Sequence, residues 1–536
     1  MAITLQFFGA AGTVTGSCMR LTTPEGEIVV DCGLFQGSKT LQELNYREPP
    51  VSPSRVAAVL LTHAHLDHTG LFPKLVVAGF RRRAYATPGT CDLSRWMLPD
   101  SGAIQEAEVE RLNRRRDRRG SGRVEPIYTR ADAEAAVERF APTPFDEAFS
   151  PLPGVTAVFR RAGHILGAAF VETTIDTPDG PLRLTFSGDI GPPGQTLQRD
   201  PVPPAPADFA VLESTYGDRV RERRDEEQRR DRLRGEITDA LAAGGNVLIP
   251  AFAVERTQEL LHDLLTLMRR GRLPHAPVFL DSPLAHRATE VFRKHQRELD
   301  LDSAGDPFGA ANVSVTRTPD ESKAIGRVKS GAIIVAGSGM CEAGRIKYHL
   351  KDHLWRPQST VLFIGYQAAG TLGRLIRDGA PTVRIHGETV EVRARVRAIG
   401  DYSGHGDRDD LVNWIRPTLP TLGALFLTHG EPAARDGLSS ALQAAGFAAD
   451  RVVQPRLDSC YALEKRDGVW RAAMIDGGCR LDAPQVEAAT RGRDWQSDFA
   501  EILLDLEHRL DRAADDRSRR KILRDVRRAL DSVEPR

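Results

Sequence analysis

A cluster of metal-binding residue types constrains this chain more than any other feature. Residues 62–70 read Thr-His-Ala-His-Leu-Asp-His-Thr-Gly and place three histidines and one aspartate within six positions. The whole chain has only 14 histidines in 536 residues, so this density is not that of histidines scattered over a polar loop. The cluster directly follows the apolar residues 56–61, which predict a buried strand because the run is short and aliphatic.

The alternation of side chains along a strand predicts how this cluster is arranged. On an extended chain His63 and His65 point to the same side, whereas Asp67 and His68 follow after the chain turns and approach from another direction. Two ligands from each direction suit two adjacent metal ions better than one. Histidine and carboxylate together favour zinc or a similar first-row ion.

Length and composition exclude several classes of protein. A chain of 536 residues exceeds one hydrophobic core and predicts two or more domains. Lysine and arginine together number 73, as do aspartate and glutamate, so a polyanion site must be a local patch. The six cysteines form no C-x-x-C pair, and we find neither a signal peptide nor an apolar segment that spans a bilayer. We therefore expect a cytoplasmic protein without a membrane partner.

The pattern of predicted secondary structure changes twice along the chain. Short apolar runs with Gly-containing turns predict a β-rich layer up to about residue 215, interrupted by a charged, mostly helical stretch over 90–147. From about 218, strands alternate with amphipathic helices, which predicts a parallel α/β sheet; the mixed charges of 219–234 indicate a solvated helix face. Residues 396–463 return to β-like segments, so the α/β part is an insertion.

The last segment, 484–536, is charged and predicted to be helical. It carries two apolar stripes, which indicate a helical hairpin docked on the body or on a second copy in a homodimer. The first stripe comprises Trp495, Phe499, Ile502, Leu503, Leu506 and Leu510, and the second comprises Ile522, Leu523, Val526 and Leu530.

Further ligand types follow other predicted strands. His164 lies between glycines after one strand, Asp189 ends a strand in a Ser-Gly-Asp turn, and His429 follows residues 424–428. A strand end holds a side chain firmly enough for the narrow geometry that metals require. Each residue alone is an ordinary loop residue, but together with the cluster at 63–68 they complete a set for two metal ions.

These motifs resemble a known superfamily. H-x-H-x-D-H followed by a distant His, Asp and His is similar to the metallo-β-lactamase fold of binuclear hydrolases. The inserted α/β domain, Glu213 in Glu-Ser-Thr-Tyr-Gly, His405 and His429 resemble the β-CASP nucleases, specifically the bacterial and archaeal relatives of the nuclease subunit of the cleavage and polyadenylation factor. The resemblance covers residues 1 to about 470.

The resemblance implies a fold and domain bounds. It implies an α/β protein with a metallo-β-lactamase αββα sandwich, an inserted parallel α/β β-CASP domain and a helical C-terminal extension. The expected bounds are 1–215 and 399–475 for the two parts of the sandwich, 216–398 for the insertion and 476–536 for the extension.

The resemblance also implies a site. His63, His65 and His164 would bind a first Zn²⁺, and Asp67, His68 and His429 a second, with Asp189 bridging the two and Mn²⁺ as a substitute metal. Asp31 would orient the histidine loop from behind. Glu213 and His405 would line the phosphate side of the cleft, and Asp67, Asp189, Glu213 and His405 form the expected catalytic set.

The activity implied is hydrolysis of phosphodiester bonds in single-stranded RNA, as an endonuclease that also permits 5′-to-3′ exonuclease action. His429 favours RNA, because the DNA-repair branch of the family typically carries valine at that motif. Expected phosphate contacts are Arg256, Ser338, Arg345 and Arg374. The arginine-rich run 111–119 fits two predictions equally well, a surface that tracks an RNA backbone and a solvated connector.

Two other functions compete with this interpretation. The first is another hydrolase on the same scaffold, either a DNA nuclease or an enzyme for small esters and lactones. The inserted domain disfavours small esters, whose hydrolysis needs no clamp for a polymer. The second is an RNA-binding subunit without turnover, which the complete ligand set disfavours.

Overall fold

Two sheets packed face to face form the centre of the protein in this computed structural model. The structure describes residues 2–117, 122–222, 225–300, 306–365, 367, 370–478, 480–481, 506, 510 and 515–531. The first sheet has eight strands in the order β23-β22-β1-β2-β3-β4-β5-β6. Its strands are β1 Ile3–Phe7, β2 Met19–Thr23, β3 Gly26–Val30, β4 Val56–Leu60, β5 Arg83–Ala86, β6 Phe140–Pro142, β22 Cys460–Arg466 and β23 Val469–Asp476.

The second sheet has seven strands in the order β21-β20-β11-β10-β9-β8-β7. They are β7 Ala148–Leu152, β8 Val155–Arg161, β9 Ala169–Ile175, β10 Leu182–Phe186, β11 Phe209–Glu213, β20 Ala424–Thr428 and β21 Val452–Val453. Leu5, Phe7, Val171, Phe186 and Phe426 belong to the core between the two sheets. Their burial explains why these strands are apolar on the facing side.

Helices cover the outer faces of both sheets and complete the αββα sandwich. The first sheet packs against α3 Phe72–Val77, α4 Pro88–Asp117 and α5 Arg130–Val137, and the second against α12 Arg408–Ile415 and α13 Pro432–Ala444. Short helices occur at α1 Lys39–Gln42 and α2 Leu66–Thr69, and 3₁₀ turns at Glu43–Tyr46, Gln296–Glu298 and Ala449–Arg451.

The chain between β11 and β20 folds into its own sheet. β11 and β20 pair in parallel, with Phe209 opposite Ala424, so the residues between them are an insertion at one edge of the sandwich. The inserted sheet has six parallel strands in the order β14-β13-β15-β12-β16-β19. They are β12 Val247–Pro250, β13 Val278–Asp281, β14 Val313–Val315, β15 Ile333–Ala336, β16 Thr360–Phe363 and β19 Arg395–Ala398.

Six helices and a hairpin surround this inserted sheet. The helices are α6 Glu226–Ala242, α7 Arg256–Arg269, α8 Pro283–Lys294, α9 Pro319–Ile325, α10 Ile346–His353 and α11 Leu372–Arg377, and the hairpin is β17 Thr382–Ile385 with β18 Glu388–Glu391. Apolar cores lie on both faces of the sheet. The predicted fold class, a sandwich with an inserted parallel α/β domain, is therefore confirmed, whereas the predicted domain bounds stay a prediction.

The stretch 90–147 is mostly helical as predicted, with α4 and α5 followed by the short strand β6. Two other expectations about local structure were wrong in part. Residues 396–463 also contain α12 and α13; α12 starts at the capping box of Asp407 with Asp410 and buries an apolar face. In α6 the face predicted to be solvated buries Arg229 and Arg230, because both guanidinium groups bind the buried carboxylate of Asp263 at 2.9 Å.

At the C-terminus, the described residues include a helix at Asp516–Asp531, which carries most of the second predicted stripe. Of the first stripe, Trp495, Phe499, Ile502 and Leu503 lie outside the described residues. None of the helices described here combines the length and apolarity that a bilayer span requires.

Candidate metal centre

The metal-binding residue types converge at one edge of the sandwich. β3 and β4 of the first sheet end just before Asp31 and the 63–68 cluster, and the parallel strands β10, β11 and β20 of the second sheet end at or just before Asp189, Glu213 and His429. Carboxyl ends of parallel strands share one edge of a sheet, so loops far apart in sequence meet there. That shared edge is why metal-binding residue types from His63 to His429 form one site.

The first group consists of three histidines with an aspartate. Nδ1 of His65 lies 3.1 Å from Nε2 of His63 and 3.2 Å from Nε2 of His164. With one oxygen of Asp189, these ligand atoms all lie within 4.8 Å of one another. His63 and His164 are buried, so their nitrogens converge in a site shielded from bulk water.

The second group consists of Asp67, His68 and His429. Nε2 of His429 lies 3.2 Å from Nε2 of His68 and 3.4 Å from Oδ2 of Asp67. These atoms also lie within 4.8 Å of one another. The structure therefore brings all seven predicted ligands together, with His63 and His65 in one group and Asp67 and His68 in the other.

Asp189 lies between the two groups. Its Oδ2 is 3.5 Å from Nε2 of His63 and 3.6 Å from Nε2 of His164, while its Oδ1 is 3.4 Å from Nε2 of His68. Oδ1 is buried and has no hydrogen-bond partner among the described residues. A buried carboxylate oxygen without a donor is costly unless a cation binds it. The donor set of imidazole nitrogens and carboxylates therefore fits two divalent cations of the first-row type.

Polar groups behind the histidines orient the rings. Nδ1 of His68 is 2.7 Å from Oδ2 of Asp31, and Nδ1 of His164 is 2.7 Å from the carbonyl of Gly404. Both oxygens can only accept, so each Nδ1 donates and each Nε2 keeps its lone pair for a metal. Nδ1 of His429 lies 3.0 Å from the hydroxyl of Thr215. The predicted role of Asp31 behind the histidine loop agrees with this geometry.

Electrostatics divide the two groups. Burial holds the pKa of His63 and of His164 well below the usual value and lowers that of His65 to about 4, so these rings are neutral ligands at pH 7. Burial also lowers the pKa of His68, but Asp189 and Asp31 raise it more, so its pKa lies well above the usual value. Metal binding at His68 must therefore displace a proton.

The carboxylate of the site stays ionised in the same field. Burial alone would raise the pKa of Asp189, but His429 and His68 lower it well below the usual value. The pKa of His429 is raised, because Asp189 and Asp67 outweigh the effect of its burial.

Glu213 and His405 form a pair beside the metal ligands. Nδ1 of His405 lies 3.1 Å from Oε2 and 3.2 Å from Oε1 of Glu213. The carboxylate is fully buried and also accepts from the amide of Ile190 at 2.6 Å and from the hydroxyl of Thr215 at 2.6 Å. The His405 side chain is 20% exposed and its Nδ1 is 3.9 Å from Oδ2 of Asp189. The pair can therefore present the other ring nitrogen, Nε2, to a substrate that reaches the centre.

The predicted phosphate contacts belong to the inserted domain and mostly hold ion pairs; Arg256 alone among them lies against the loop of Gly404 beside His164. Arg256 binds Glu259 at 2.5 Å, and its guanidinium fills the space that a side chain at Gly404 would need. Arg345 binds Asp281 at 2.6 Å, and Arg374 binds Asp378 at 2.5 Å. Ser338 lies in the loop between β15 and α10.

Sequence reasoning missed three residues at the site. The hydroxyl of Thr62 donates to Asp31 and lies 3.2 Å from Nδ1 of His63, and that of Thr215 links Glu213 to His429. Glu255, with a positive φ of 70°, accepts from the amide of Leu166 in the His164 loop. Burial and the charge of Glu259 raise the pKa of Glu255 to about 8. The signal for the threonines was their position in the sequence, since Thr62 precedes His63 and Thr215 lies two residues after Glu213.

Comparison with known proteins agrees with this architecture. Family models match at residues 11–125 (metallo-beta-lactamase superfamily), 257–376 (Beta-Casp domain) and 389–452 (Zn-dependent metallo-hydrolase RNA specificity domain). Ribonuclease TTHA0252 of Thermus thermophilus is 37% identical over 431 residues, which cover 79% of this chain and 92% of the relative.

Two archaeal proteins are more distant relatives. Transcription termination factor FttA of Methanosarcina mazei is 29% identical, covering 81% of this chain and 68% of that protein. An RNase J-like protein of Methanocaldococcus jannaschii is 28% identical, covering 80% of this chain and 93% of that protein. The predicted resemblance is confirmed: this chain belongs to the β-CASP family of metallo-β-lactamase-fold hydrolases, with a site for divalent metal ions.

Proposed function

We propose that this protein is a zinc-dependent ribonuclease that hydrolyses phosphodiester bonds in single-stranded RNA. The observation that carries the proposal is the carboxylate of Asp189, which turns one oxygen toward each of two ligand groups beside the Glu213–His405 pair. Two-metal sites of this kind serve in-line displacement at phosphorus. The relative named a ribonuclease and the match to the RNA specificity domain support RNA as the substrate.

In this proposal each group of ligands holds one ion. His63, His65 and His164 would hold the first Zn²⁺, Asp67, His68 and His429 would hold the second, and Asp189 would serve both, with Mn²⁺ as a substitute. Bound divalent ions supply the Lewis acidity that lowers the pKa of a water and offsets the charge that develops on the phosphoryl group.

The chain's own residues position the substrate and move a proton. Glu213 is held by Ile190 and Thr215 and accepts the hydrogen bond from Nδ1 of His405. This contact fixes the orientation of the ring, so Nε2 of His405 is the nitrogen that would donate to a phosphoryl oxygen or pass a proton to the leaving oxygen. Glu213 is fully buried, and the role assigned to it here is to orient His405.

Location and assembly remain predictions. A cytoplasmic site of action is supported by the cysteines that the structure describes, all five of which are unpaired and buried. A homodimer through the C-terminal helices, the domain bounds 1–215, 216–398, 399–475 and 476–536, and phosphate contacts by Arg256, Ser338, Arg345 and Arg374 are likewise expectations. Endonuclease action is the expected mode, and 5′-to-3′ exonuclease action is left open as a further mode.

One experiment separates the competing functions. The purified protein is incubated with labelled single-stranded RNA, with matching DNA and with a chromogenic ester, each with zinc and with a chelator. We expect RNA cleavage that the chelator abolishes. Faster cleavage of DNA or of the ester would replace the proposed substrate, and RNA binding without metal-dependent cleavage would indicate a non-catalytic subunit.

Two variants test the roles within the site. His405→Ala should keep both metal ions and lose about 10²–10⁴-fold in turnover, which is the range for a general acid. Asp189→Ala should lose both the metal ions and turnover, because its two oxygens face both groups. Metal content by mass spectrometry is measured beside the rate. A His405→Ala variant that cleaves RNA at the wild-type rate would remove His405 from the mechanism.

A further inference from the structure

Two exposed aromatic rings of the inserted domain are packed against each other outside the metal centre. Tyr348 lies in the first turn of α10, and His386 lies at the tip of the β17–β18 hairpin. Their ring centroids are 4.6 Å apart with an interplanar angle of 31°. Tyr348 is nevertheless 59% exposed, so most of its surface faces solvent rather than a protein core.

The burial pattern of α10 shows that Tyr348 does not belong to the buried face of the helix. α10 buries Ile346, His349, Leu350 and His353, which have the i, i+3, i+4, i+7 spacing of one helical face. Tyr348 points away from that face. Trp355 follows the end of α10 and is 51% exposed, with the guanidinium of Arg356 over its ring.

His386 is an unusual choice for its turn. His386 and Gly387 form a two-residue hairpin loop with φ angles of 55° and 88°. Such a loop favours Asn-Gly or Asp-Gly, since most side chains are strained in the left-handed region. The hairpin itself does not require an imidazole, so the contact of this ring with Tyr348 is the feature that the histidine adds.

Cations surround the aromatic pair. The pKa of His386 is held below its usual value by burial and then by the charges of Lys347, Arg111 and Lys351. Lys351 also binds Glu388 at 2.7 Å, whereas the hydrogen bond of Lys347 to a backbone carbonyl does not neutralise its ammonium group. Arg111 is exposed on α4 of the sandwich, so both parts of the protein contribute charge.

The surface lies on the side of the inserted domain that meets the metal centre. α10 follows the loop that leaves β15 at the carboxyl end of the inserted sheet. At the same edge, Glu255 hydrogen-bonds to Leu166 in the His164 loop. Tyr348 is therefore near this edge, and Trp355 follows the other end of α10.

We propose that Tyr348, His386 and Trp355, with Lys347 and Arg111 beside them, form a stacking platform that binds unpaired bases of single-stranded RNA. Exposed aromatic rings interleaved with cations are the combination that binds single strands, because bases stack on rings while lysine and arginine contact the phosphates. This inference rests on the proposed function for its choice of RNA. The platform holds the strand beyond the cleavage site and adds affinity without touching the scissile phosphate.

The test measures RNA binding with the metals chelated, so that no cleavage occurs. Fluorescence anisotropy with a labelled oligouridine of about 20 nucleotides, longer than one stacking site, reports the Kd. We expect Tyr348→Ala to raise the Kd about tenfold and Tyr348→Ala with Trp355→Ala about a hundredfold, since one stacked base contributes about 5- to 150-fold. Tyr348→Phe keeps the ring and should bind within about twofold of the wild type.

Controls separate this platform from the proposed function. Met474→Ala changes another exposed apolar side chain, on β23 of the sandwich, and should not alter the Kd. Wild-type Kd values for both Tyr348→Ala and Trp355→Ala would overturn the platform, even if the wild type cleaves RNA. A wild type that binds RNA through Tyr348 but never cleaves it would overturn the proposed function and support the platform. A wild type that does not bind RNA would overturn both.

Discussion

Replacing Asp31 by asparagine tests how far the metal centre depends on groups that never touch a metal. The carboxylate is fully buried; Oδ1 accepts from the amide of Thr62 at 2.9 Å, and Oδ2 lies 2.7 Å from Nδ1 of His68. Asparagine has the same shape and can keep its oxygen toward Thr62. Its amide then faces Nδ1 of His68, so two donors oppose each other unless His68 takes the tautomer that removes its lone pair from Nε2.

The size of the effect follows from the hydrogen bond that is lost. A hydrogen bond to a charged group contributes about 1.5–3 kcal/mol, or about 10- to 150-fold in an equilibrium constant. Substitutions behind metal-bound histidines typically reduce affinity by about 10–100-fold. We therefore expect Asp31→Asn to lower the metal affinity at His68 by about 10–100-fold and to lower the affinity at His63 and His164 less.

Competition with a chromophoric chelator measures both zinc affinities. His405→Ala is the matched control, because it changes a histidine of the same cleft that we do not assign to a metal. Thermal unfolding of the chelated proteins checks that the fold survives each substitution. If Asp31→Asn binds two equivalents of zinc with wild-type affinities, the orientation of His68 by Asp31 does not contribute to metal binding.

Three further predictions address stability. Asp263→Asn leaves the two buried arginines of α6 without their carboxylate and should cost about 3–5 kcal/mol in urea unfolding; an effect below about 1 kcal/mol would mean that the pair is not coupled to folding. His295 hydrogen-bonds to Glu298 and, across the domain interface, to Asp92 at 2.7 Å; the carboxylates raise its pKa although burial opposes them. A histidine whose pKa is raised by folding stabilises the folded state below about pH 6.5, the ordinary pKa of the unfolded chain, and this stabilisation is lost as the pH rises through the folded-state pKa. The Tm difference between wild type and His295→Gln should therefore shrink from pH 5.5 to 8.5. A constant difference would contradict this. Zinc at about 100 times its Kd should raise the unfolding free energy by about 2.7 kcal/mol per site over the chelated protein, measured by calorimetry; no shift in Tm would mean that the folded state does not bind zinc preferentially.

The candidate site was largely predictable because its residues share a local signature. His63, Asp189, Glu213 and His429 each end or closely follow an apolar run, and such runs became strands β4, β10, β11 and β20. Parallel strands bring their carboxyl ends to one edge, so a ligand type after each strand is informative without knowledge of the register. The insertion was predictable because its strands alternate with amphipathic helices, whereas the sequence on either side is richer in strands.

The contacts that the sequence did not predict join residues that are far apart in the chain. Arg229 and Arg230 have the composition of a solvated face, and nothing within α6 reveals that Asp263, more than thirty residues later, neutralises them. Thr215 likewise acquires its role only when β11 and β20 place it between Glu213 and His429. Such contacts depend on tertiary register, which periodicity does not encode.

The same contacts show that the metal centre depends on the chain on both sides of the insertion. The ring of His164 is oriented by the carbonyl of Gly404, which the sequence reaches only after the whole inserted domain, while the His164 loop is also held by Glu255 within that domain. Arg256 packs against Gly404 and connects these two contacts. A displacement of the inserted domain must therefore break the hydrogen bond at Glu255 or move the His164 loop with it. Substitution of Glu255 should accordingly weaken metal binding at the first group of ligands, although Glu255 has no ligand role.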